Sequence, residues 1–484
     1  MDMKLVMEQK EALLAGNQEK ISKQHASGKA TARERISQLL DAGSFVETDT
    51  LLAANGDYAG VVTGYGTVDG RPVYLFSQDF TVHGGAMGVS QAQKINKILD
   101  LAVKTGAPVI CVSDSAGVKV DEGAKAMNAF ASIYARMAKM SGICPMINLV
   151  MGPVVGGAAM LSQLADVTVQ AKKTGTLMVY GPTVVGSLTG KTLNAEQVGG
   201  TDAMGKGGAI SLAAENEEQA IALCKKVLSY LPGCNREFAE VIDSDDLNRV
   251  ISGDAENAEE LLKDIADLGE YIELKKEYGK AVHTVLCRIG GHSTGIVCSD
   301  SAVNEGMIDA DSALKAARFI RFCDCFDLPV VSLINSKGVK VPDEDHQADT
   351  LRAVSALLYA YAEATTAKVS VITGKAIGQS YVAMAGKDIA DMTYAWPEAV
   401  ISALTPEAAV QVLYANELKN GGNRFQLEAA FMAEKAGVIN AASEGLVDDI
   451  CAPAETRKYI ITALEMLQTK EEITLDRKHG NMPM

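Results

Sequence analysis

The chain lacks the usual side-chain tools of catalysis. Its 484 residues contain no His-Glu-x-x-His, no P-loop and no paired-thiolate zinc pattern, so neither a zincin nor a Walker-type NTPase is expected, nor any metal site. Nine cysteines are scattered. The only close pair, Cys323 and Cys325, falls in an amphipathic stretch at i and i+2, which a helix points in different directions. An odd count with no framework excludes a disulfide scaffold and fits a reducing cytoplasm. No apolar run approaches the roughly 20 residues of a membrane helix. Met1 to His25 is charged and Gln-rich, with no apolar core for a signal peptide. Basic charge is short as well: 45 Lys and Arg against 61 Asp and Glu give a formal net charge of −16 and a pI near 5.0. A nucleic-acid surface needs a clustered basic face, so that class is excluded. An acidic, soluble, cytoplasmic enzyme is the expectation.

What the chain does have is an internal echo. Val112-Ser113-Asp114-Ser115-Ala116-Gly117-Val118-Lys119-Val120 returns as Leu333-Ile334-Asn335-Ser336-Lys337-Gly338-Val339-Lys340-Val341, 221 residues later from Gly117 to Gly338. Gly85-Ala86-Met87 faces Gly306-Met307, Lys94 faces Lys315, Pro108-Val109-Ile110 faces Pro329-Val330-Val331, and Gly156 lies 222 residues before Gly378. The length is too great for one typical core and comfortable for two. Two related domains are expected, 1–238 and 239–484, with the boundary near Cys234 to Asp245.

The periodicity predicts a helix from about Met3 to Gln24, broken at Ser27-Gly28-Lys29, and a second from Thr31 to Leu40 that opens with Glu34 at capping-box spacing. Short strands follow at Phe45 to Glu47, Gly60 to Gly64 and Val73 to Phe76, with a turn at Asp69-Gly70. Then helices alternate with apolar strands: Gln91 to Thr105, Val109 to Val112, Gly123 to Ser141, and Met146 to Val150 running into Gly152-Pro153. The second half repeats this as Ala313 to Phe326, Val330 to Leu333, Ala348 to Thr366, and Val369 to Thr373 running into Gly374. Apolar strands separated by helices imply crossovers and mostly parallel sheets, an α/β class. Leu212 to Gly269 reads as mainly helical, with a break at Pro232-Gly233. Its acidic residues, Asp243, Asp245, Asp246, Glu256, Glu259 and Glu260, read as solvated faces and caps rather than a cation site.

One Gly-x-Ser-x-Gly match, Gly291-His292-Ser293-Thr294-Gly295, lies between two strand-like runs and reads as a hairpin, because a nucleophile elbow needs a strand-to-helix turn. Of six histidines, His83 sits beside a glycine turn and reads as structural, and His346 follows Asp343-Glu344-Asp345 in a solvated loop. Backbone groups are the stronger candidates. Each half has a strand ending in a glycine turn that opens a helix: Gly152-Pro153-Val154-Val155-Gly156-Gly157-Ala158, and Gly374-Lys375-Ala376-Ile377-Gly378-Gln379-Ser380-Tyr381. N–H groups at a helix start are unpaired within the helix and lie at its positive end, so they can hold an oxyanion. Tight turns or close helix packing also explain the glycines, and the pattern alone favours packing. The loops Ser113 to Val120 and Asn335 to Val341 place a glycine just after a buried strand, where open parallel sheets bind ligands. Lys119 and Lys340 fit an anion contact or a plain surface position.

At this point the residues resemble a known family. Lys29-Ala30-Thr31-Ala32-Arg33-Glu34-Arg35-Ile36, Phe76-Ser77-Gln78-Asp79-Phe80-Thr81-Val82 with Gly84-Gly85, and Gly152-Pro153 with Gly156-Gly157-Ala158 are similar to the first half of biotin-dependent carboxyltransferases. Lys315-Ala316-Ala317-Arg318-Phe319, Ala360 to Thr365, Ala395-Trp396-Pro397 and Arg477-Lys478-His479-Gly480-Asn481 resemble the second. The relatives implied are beta subunits of propionyl-CoA and acyl-CoA carboxylases and alpha subunits of sodium-pumping acyl-CoA decarboxylases. The resemblance implies two tandem crotonase-like domains, each a spiral of ββα units, in a homo-oligomer that is a hexamer in the family. It implies acyl-CoA on the N-terminal domain and carboxybiotin on the C-terminal one, with biotin on a separate carrier. Gly156 and Gly157 then match the amides that hold the thioester enolate. Gly378 and Gln379 match the pair that polarises the biotin ureido oxygen. Ala116, Gly117, Val118, Gly338, Tyr381 and Val382 fall in substrate-binding positions. In the family the carboxylated biotin releases CO2 and the freed nitrogen takes the α-proton of the substrate, so no acid or base side chain is needed.

The chain departs from the family pattern in places. The usual Asp-Ser-Gly-Gly-Ala-Arg is Asp114-Ser115-Ala116-Gly117-Val118-Lys119 here. The Pro-Gly-Phe loop is Lys337-Gly338-Val339, and Gly-Gly-Ala-Tyr is Gly378-Gln379-Ser380-Tyr381. Val382 stands where propionyl-preferring relatives carry an aspartate, which leans towards acetyl-CoA. Three readings follow: a carboxylase subunit partnered by biotin carboxyl carrier and biotin carboxylase; a decarboxylase or transcarboxylase subunit, the former with a membrane partner; and a scaffold that has lost activity.

Overall fold

The computed structural model describes residues 3–54, 57–243, 245–473 and 477–483. The chain divides into two compact units, Met1–Glu237 and Phe238–Met484. In the N-terminal unit an eight-stranded sheet runs in the order Val46–Thr48, Val61–Val68, Arg71–Gln78, Val109–Ser115, Met146–Val155, Val167–Ala171, Leu212–Ala214, with Thr176–Met178 paired to the far end of Met146–Val155. The first three strands are antiparallel and the rest parallel. Asp69 and Gly70 make the hairpin turn, both at positive φ (49° and 77°), as a tight turn matched to strand twist requires.

The C-terminal unit repeats this plan. Its sheet runs Tyr271–Leu274, Val282–Ile289, His292–Ser299, Val330–Ser336, Lys368–Ile377, Met392–Ala395, Asp449–Ile450, with Val400–Ser402 paired to the far end of Lys368–Ile377. A register shift interrupts the pairing of the fourth and fifth strands in both sheets, between Ser113 and Ser115 in one and between Ile334 and Ser336 in the other. That irregularity frees each strand end to open into its glycine loop. Val109–Ser115 and Val330–Ser336 are buried at every position, which is why their first halves, Val109 to Val112 and Val330 to Leu333, show no apolar–polar alternation of a half-exposed strand. Helices Val89–Thr105 and Ala124–Met140 cover the first sheet through Ile95, Leu99, Ile133 and Met137, all at most 1% exposed. Fully burying one such side chain is worth roughly 1.5–3 kcal/mol.

Several expectations change. The first helix is two, Met3–Ala15 and Gln18–Ala26, because Gly16 turns to positive φ and the Asn17 side chain caps the second by accepting from the Lys20 N–H. The Thr31 capping box with Glu34 forms as read. Between Leu212 and Gly269 the helices are Glu217–Tyr230 and Ala258–Ile265, and the described residues between them are irregular. Asp245 is not solvated: its carboxylate accepts from Arg249 at 2.9 Å, Arg457 at 3.5 Å and the Leu268 N–H at 2.9 Å. Gly291 to Gly295 is the predicted hairpin, with Gly290 and Gly291 in the turn and Ser293 buried inside the strand, so it is no nucleophile elbow.

An ion cluster ties the helix Ala32–Leu39 to the first sheet and to the helix Glu217–Tyr230. Arg35, completely buried, donates to Glu217 at 2.6 and 3.0 Å, to Asp114 at 2.9 Å and to the Met151 carbonyl at 3.2 Å. Lys29 reaches Asp114 at 2.8 Å. Burial lowers the Lys29 amine, against the pull of Asp114. Such a cluster is favourable only because every member is paired.

Candidate active site

Each sheet presents one glycine turn at the end of its long central strand. Gly156 (φ 61°, ψ −124°) opens the helix Gly157–Leu164, and Gly378 (φ 55°, ψ −123°) opens Gln379–Ala385. Those angles belong to glycine alone. At both turns the chain reverses from strand to helix with the helical amides bare. Ala159 and Met160 return to the Gly156 carbonyl, and Val382 to that of Gly378.

The amides at each turn divide into paired and bare ones. The Gly156 N–H donates to Met178 O at 2.9 Å, and the Gly378 N–H to Ser402 O at 2.8 Å, because the short outer strands Thr176–Met178 and Val400–Ser402 carry their parallel pairing into the turn. Among the described residues, no acceptor meets the N–H groups of Gly157 and Ala158 in one unit, or of Gln379 and Ser380 in the other. Of the four turn residues expected from the sequence, Gly156 and Gly378 thus have their own N–H groups engaged, while Gly157 and Gln379, with their neighbours Ala158 and Ser380, present open ones. Two adjacent N–H groups at a turn can bind one oxyanion. The pairing of the outer strands is a long-range event, and local sequence carries no signal of it.

Gly157 is also fixed by packing. A Cβ there would meet the Phe130 ring at 3.0 Å, and its carbonyl accepts from the Tyr134 hydroxyl at 2.8 Å. Packing and amide presentation thus hold together at this residue, where the sequence left them as alternatives.

The strand-end loops lie beside these turns in chain topology. Gly117 (φ 107°) and Gly338 (φ 103°) each place a Cβ position 3.1 or 3.0 Å from the carbonyl of the residue before the turn glycine, Val155 or Ile377. The Ala116 N–H is taken by Gly84 O at 2.8 Å and the Gly117 N–H by the Ser115 hydroxyl at 3.2 Å. Val118 keeps an N–H with no acceptor among the described residues. The Gly338 N–H is likewise taken by Ser336 at 3.1 Å. Tyr381 is half-buried and its hydroxyl donates to Leu446 O at 2.9 Å, which gives it a packing role; Val382 is exposed. Lys119 pairs with Glu122 at 3.2 Å, whereas Lys340 is exposed. His83 and His346 are both exposed, at a turn and at a short helical turn.

Each of the two similar sheets thus ends in a pair of bare amides beside a glycine loop, an arrangement able to hold an oxyanion. The chain belongs to the carboxyl transferase family, whose domain model matches residues 23–482. It is 37% identical over 507 residues to the propionyl-CoA carboxylase carboxyltransferase subunit of Haloferax mediterranei, covering 98% of this chain and 97% of that one. It is also 37% identical over 495 residues to the methylmalonyl-CoA decarboxylase subunit alpha of Veillonella parvula, covering 97% and 96%. A crystal structure of transcarboxylase 12S, a hexamer with methylmalonyl-coenzyme A and methylmalonic acid bound, superimposes with a TM-score of 0.96 at 34% identity, covering 100% and 98%. The two units are crotonase-like domains related by duplication, as the family resemblance implied.

Proposed function

We propose that this chain is the carboxyltransferase subunit that moves a carboxyl group between biotin, held on a separate carrier, and the α-carbon of a short acyl-CoA. Residues 1–238 take the acyl-CoA and residues 239–484 take the carboxylated biotin. The carrying observation is the matched set of bare amides, one adjacent pair per unit, at the glycine turns that end the two long central strands. Deprotonating an acyl-CoA puts charge on the thioester oxygen, and the Gly157 and Ala158 N–H groups are placed to hold it. Losing a carboxyl group puts charge on the ureido oxygen of biotin, and the Gln379 and Ser380 N–H groups suit that oxygen. Biotin itself supplies the labile carboxyl group and, after its loss, a basic nitrogen. The protein stabilises charge that develops in the transition state and fixes the partners in register.

Ala116, Gly117 and Val118 line the acyl-CoA side. Gly338 and Val382 line the carrier side, with Tyr381 packed behind. Val382, apolar where propionyl-preferring relatives carry an aspartate, leans towards an acetyl group or a changed acyl preference. The expected partners are a biotin carboxyl carrier and a biotin carboxylase, in the cytoplasm, with the chain itself in a homo-hexamer like the 12S neighbour. A decarboxylase subunit with a membrane partner is the second reading, supported by the equal identity to the Veillonella subunit. The test is biotin-dependent decarboxylation of malonyl-CoA and methylmalonyl-CoA by the purified chain. Turnover with either supports transfer, and its absence with both supports the inactive scaffold.

A further inference from the structure

The duplication makes one difference between the units stand out. In the N-terminal unit the loop Ser115–Val118 lies over Gly84, with the Ala116 N–H on Gly84 O and only methyl-sized space between them: a Cβ on Gly84 would sit 3.3 Å from that of Ala116. The C-terminal unit keeps the same backbone link, from the Lys337 N–H to Glu305 O at 3.2 Å. Here the two small residues are replaced by Glu305 and Lys337, whose side chains form an ion pair. Glu305 holds φ 55° and ψ 35°, close to the 64° and 26° of Gly84, a left-handed conformation that a residue with a side chain adopts at a cost of roughly 1–2 kcal/mol. An acidic side chain is thus kept at a glycine position, opposite a lysine in the loop that is Pro-Gly-Phe in the family.

Lys337 also lines a cleft of about 250 Å³ next to the bare-amide turn, together with Lys375, Ile377, Thr405, Glu407 and Glu428, the last paired to Arg424 at 2.6 Å. Ile377 is the residue before Gly378, so the cleft reaches the turn. Glu407 is held below the ordinary carboxyl range first by its own backbone N–H, then by the Thr405 hydroxyl, and also by the charges of Lys337 and Lys375. Both lysines therefore face one small space. Glu305 is 60% exposed on its side chain and Lys337 only 26%. The acid can return to water at little cost, while the lysine stays in the cleft.

We propose that Lys337 is the residue by which the C-terminal unit distinguishes a carboxylated ligand from its uncarboxylated form, with Glu305 as its resting counter-ion and Lys375 as a second cation of the cleft. The ligand is the N-carboxylated ureido ring, so the inference rests on the carrier-side reading above. A carboxylate entering the cleft exchanges with Glu305 for Lys337; once the carboxyl group has gone, Glu305 takes the lysine back and the neutral ring is released.

Calorimetric titration of the full-length protein with biotin and with chemically prepared N-carboxybiotin tests this without turnover. Wild type is expected to bind carboxybiotin more tightly than biotin. Lys337→Gln is expected to weaken carboxybiotin about fivefold and leave biotin unchanged, the scale of one partly exposed charge pair. Glu305→Gln is expected to shift in the opposite sense, tightening carboxybiotin about twofold to fivefold. The opposed signs separate a charge role from a structural one. Equal loss of both ligands in Lys337→Gln, or no change in either, overturns the proposal while the carrier-side reading stands. Failure of wild type to bind either ligand overturns both.

Discussion

Gly156 and Gly378 hold the same backbone angles to within a few degrees, yet their surroundings have diverged. Behind the first turn, Asp114 is locked by Arg35 and Lys29, and a Cβ on Gly152 would collide with its carboxylate. Behind the second, Asn335 stands in the place of Asp114; its amide accepts from the Lys375 N–H at 3.0 Å and donates to Ala255 O at 3.0 Å, and Gly374 is small for the same reason as Gly152. The first turn is backed by Phe130, whereas Gln379 at the second is exposed. Backbone dipoles are thus preserved where chemistry is proposed, and side chains vary around them, as the proposal of a different ligand on each unit requires.

The largest break in this comparison is Arg35→Ala. It leaves Asp114 and Glu217 buried without their main partner, and the N-terminal unit is expected to lose about 3–5 kcal/mol in urea unfolding. The counterpart Asn335→Ala leaves no charge behind and is expected to cost about 1–2 kcal/mol.

Next are the buried lysines that echo one another. Burial lowers the amines of Lys94 and Lys315 to about 8 from 10.5, and neither Nζ has a hydrogen-bond partner among the described residues; Lys94 lies over the Tyr58 ring and Lys315 is 4.0 Å from Glu273. Below pH 8 both folded and unfolded chains carry the proton and the full cost is present. Between pH 8 and 10.5 the unfolded chain holds a proton that the folded one has lost, so stability rises with pH, and above 10.5 the cost has gone. Lys94→Met is expected to stabilise the protein by up to about 3 kcal/mol at pH 7, with the gain vanishing towards pH 10.5 in thermal melts.

Smaller effects sharpen the contrast at the turns. Gly157→Ala presses on Phe130 and is expected to cost about 1–3 kcal/mol, most of it recovered in the double variant with Phe130→Leu. Tyr134→Phe removes one hydrogen bond to Gly157 and is expected to cost about 1 kcal/mol.

The turns, the capping box at Thr31 and the paired strands were legible because they follow from local pattern: continuous apolar runs, glycine after a strand, Glu34 three residues past a threonine. The identity of the bare amides was not, because it depends on which carbonyls Met178 and Ser402 bring from other strands. The Arg35 cluster was equally hidden, since its acids lie 79 and 182 residues away. The break at Gly16-Asn17 did leave a local signal, a capping residue after glycine, that the charged periodicity masked.

Proline at the first helical position removes one N–H and little else, and Gln379 is exposed enough to accept it without the clash that Gly157 would meet. Biotin-dependent malonyl-CoA decarboxylation by Gln379→Ala and Gln379→Pro, compared in the folded oligomer, therefore tests the backbone oxyanion turn most directly. The alanine variant is expected to stay near wild type and the proline variant to fall roughly 100-fold or more. Equal turnover in the two variants would contradict a role for that amide.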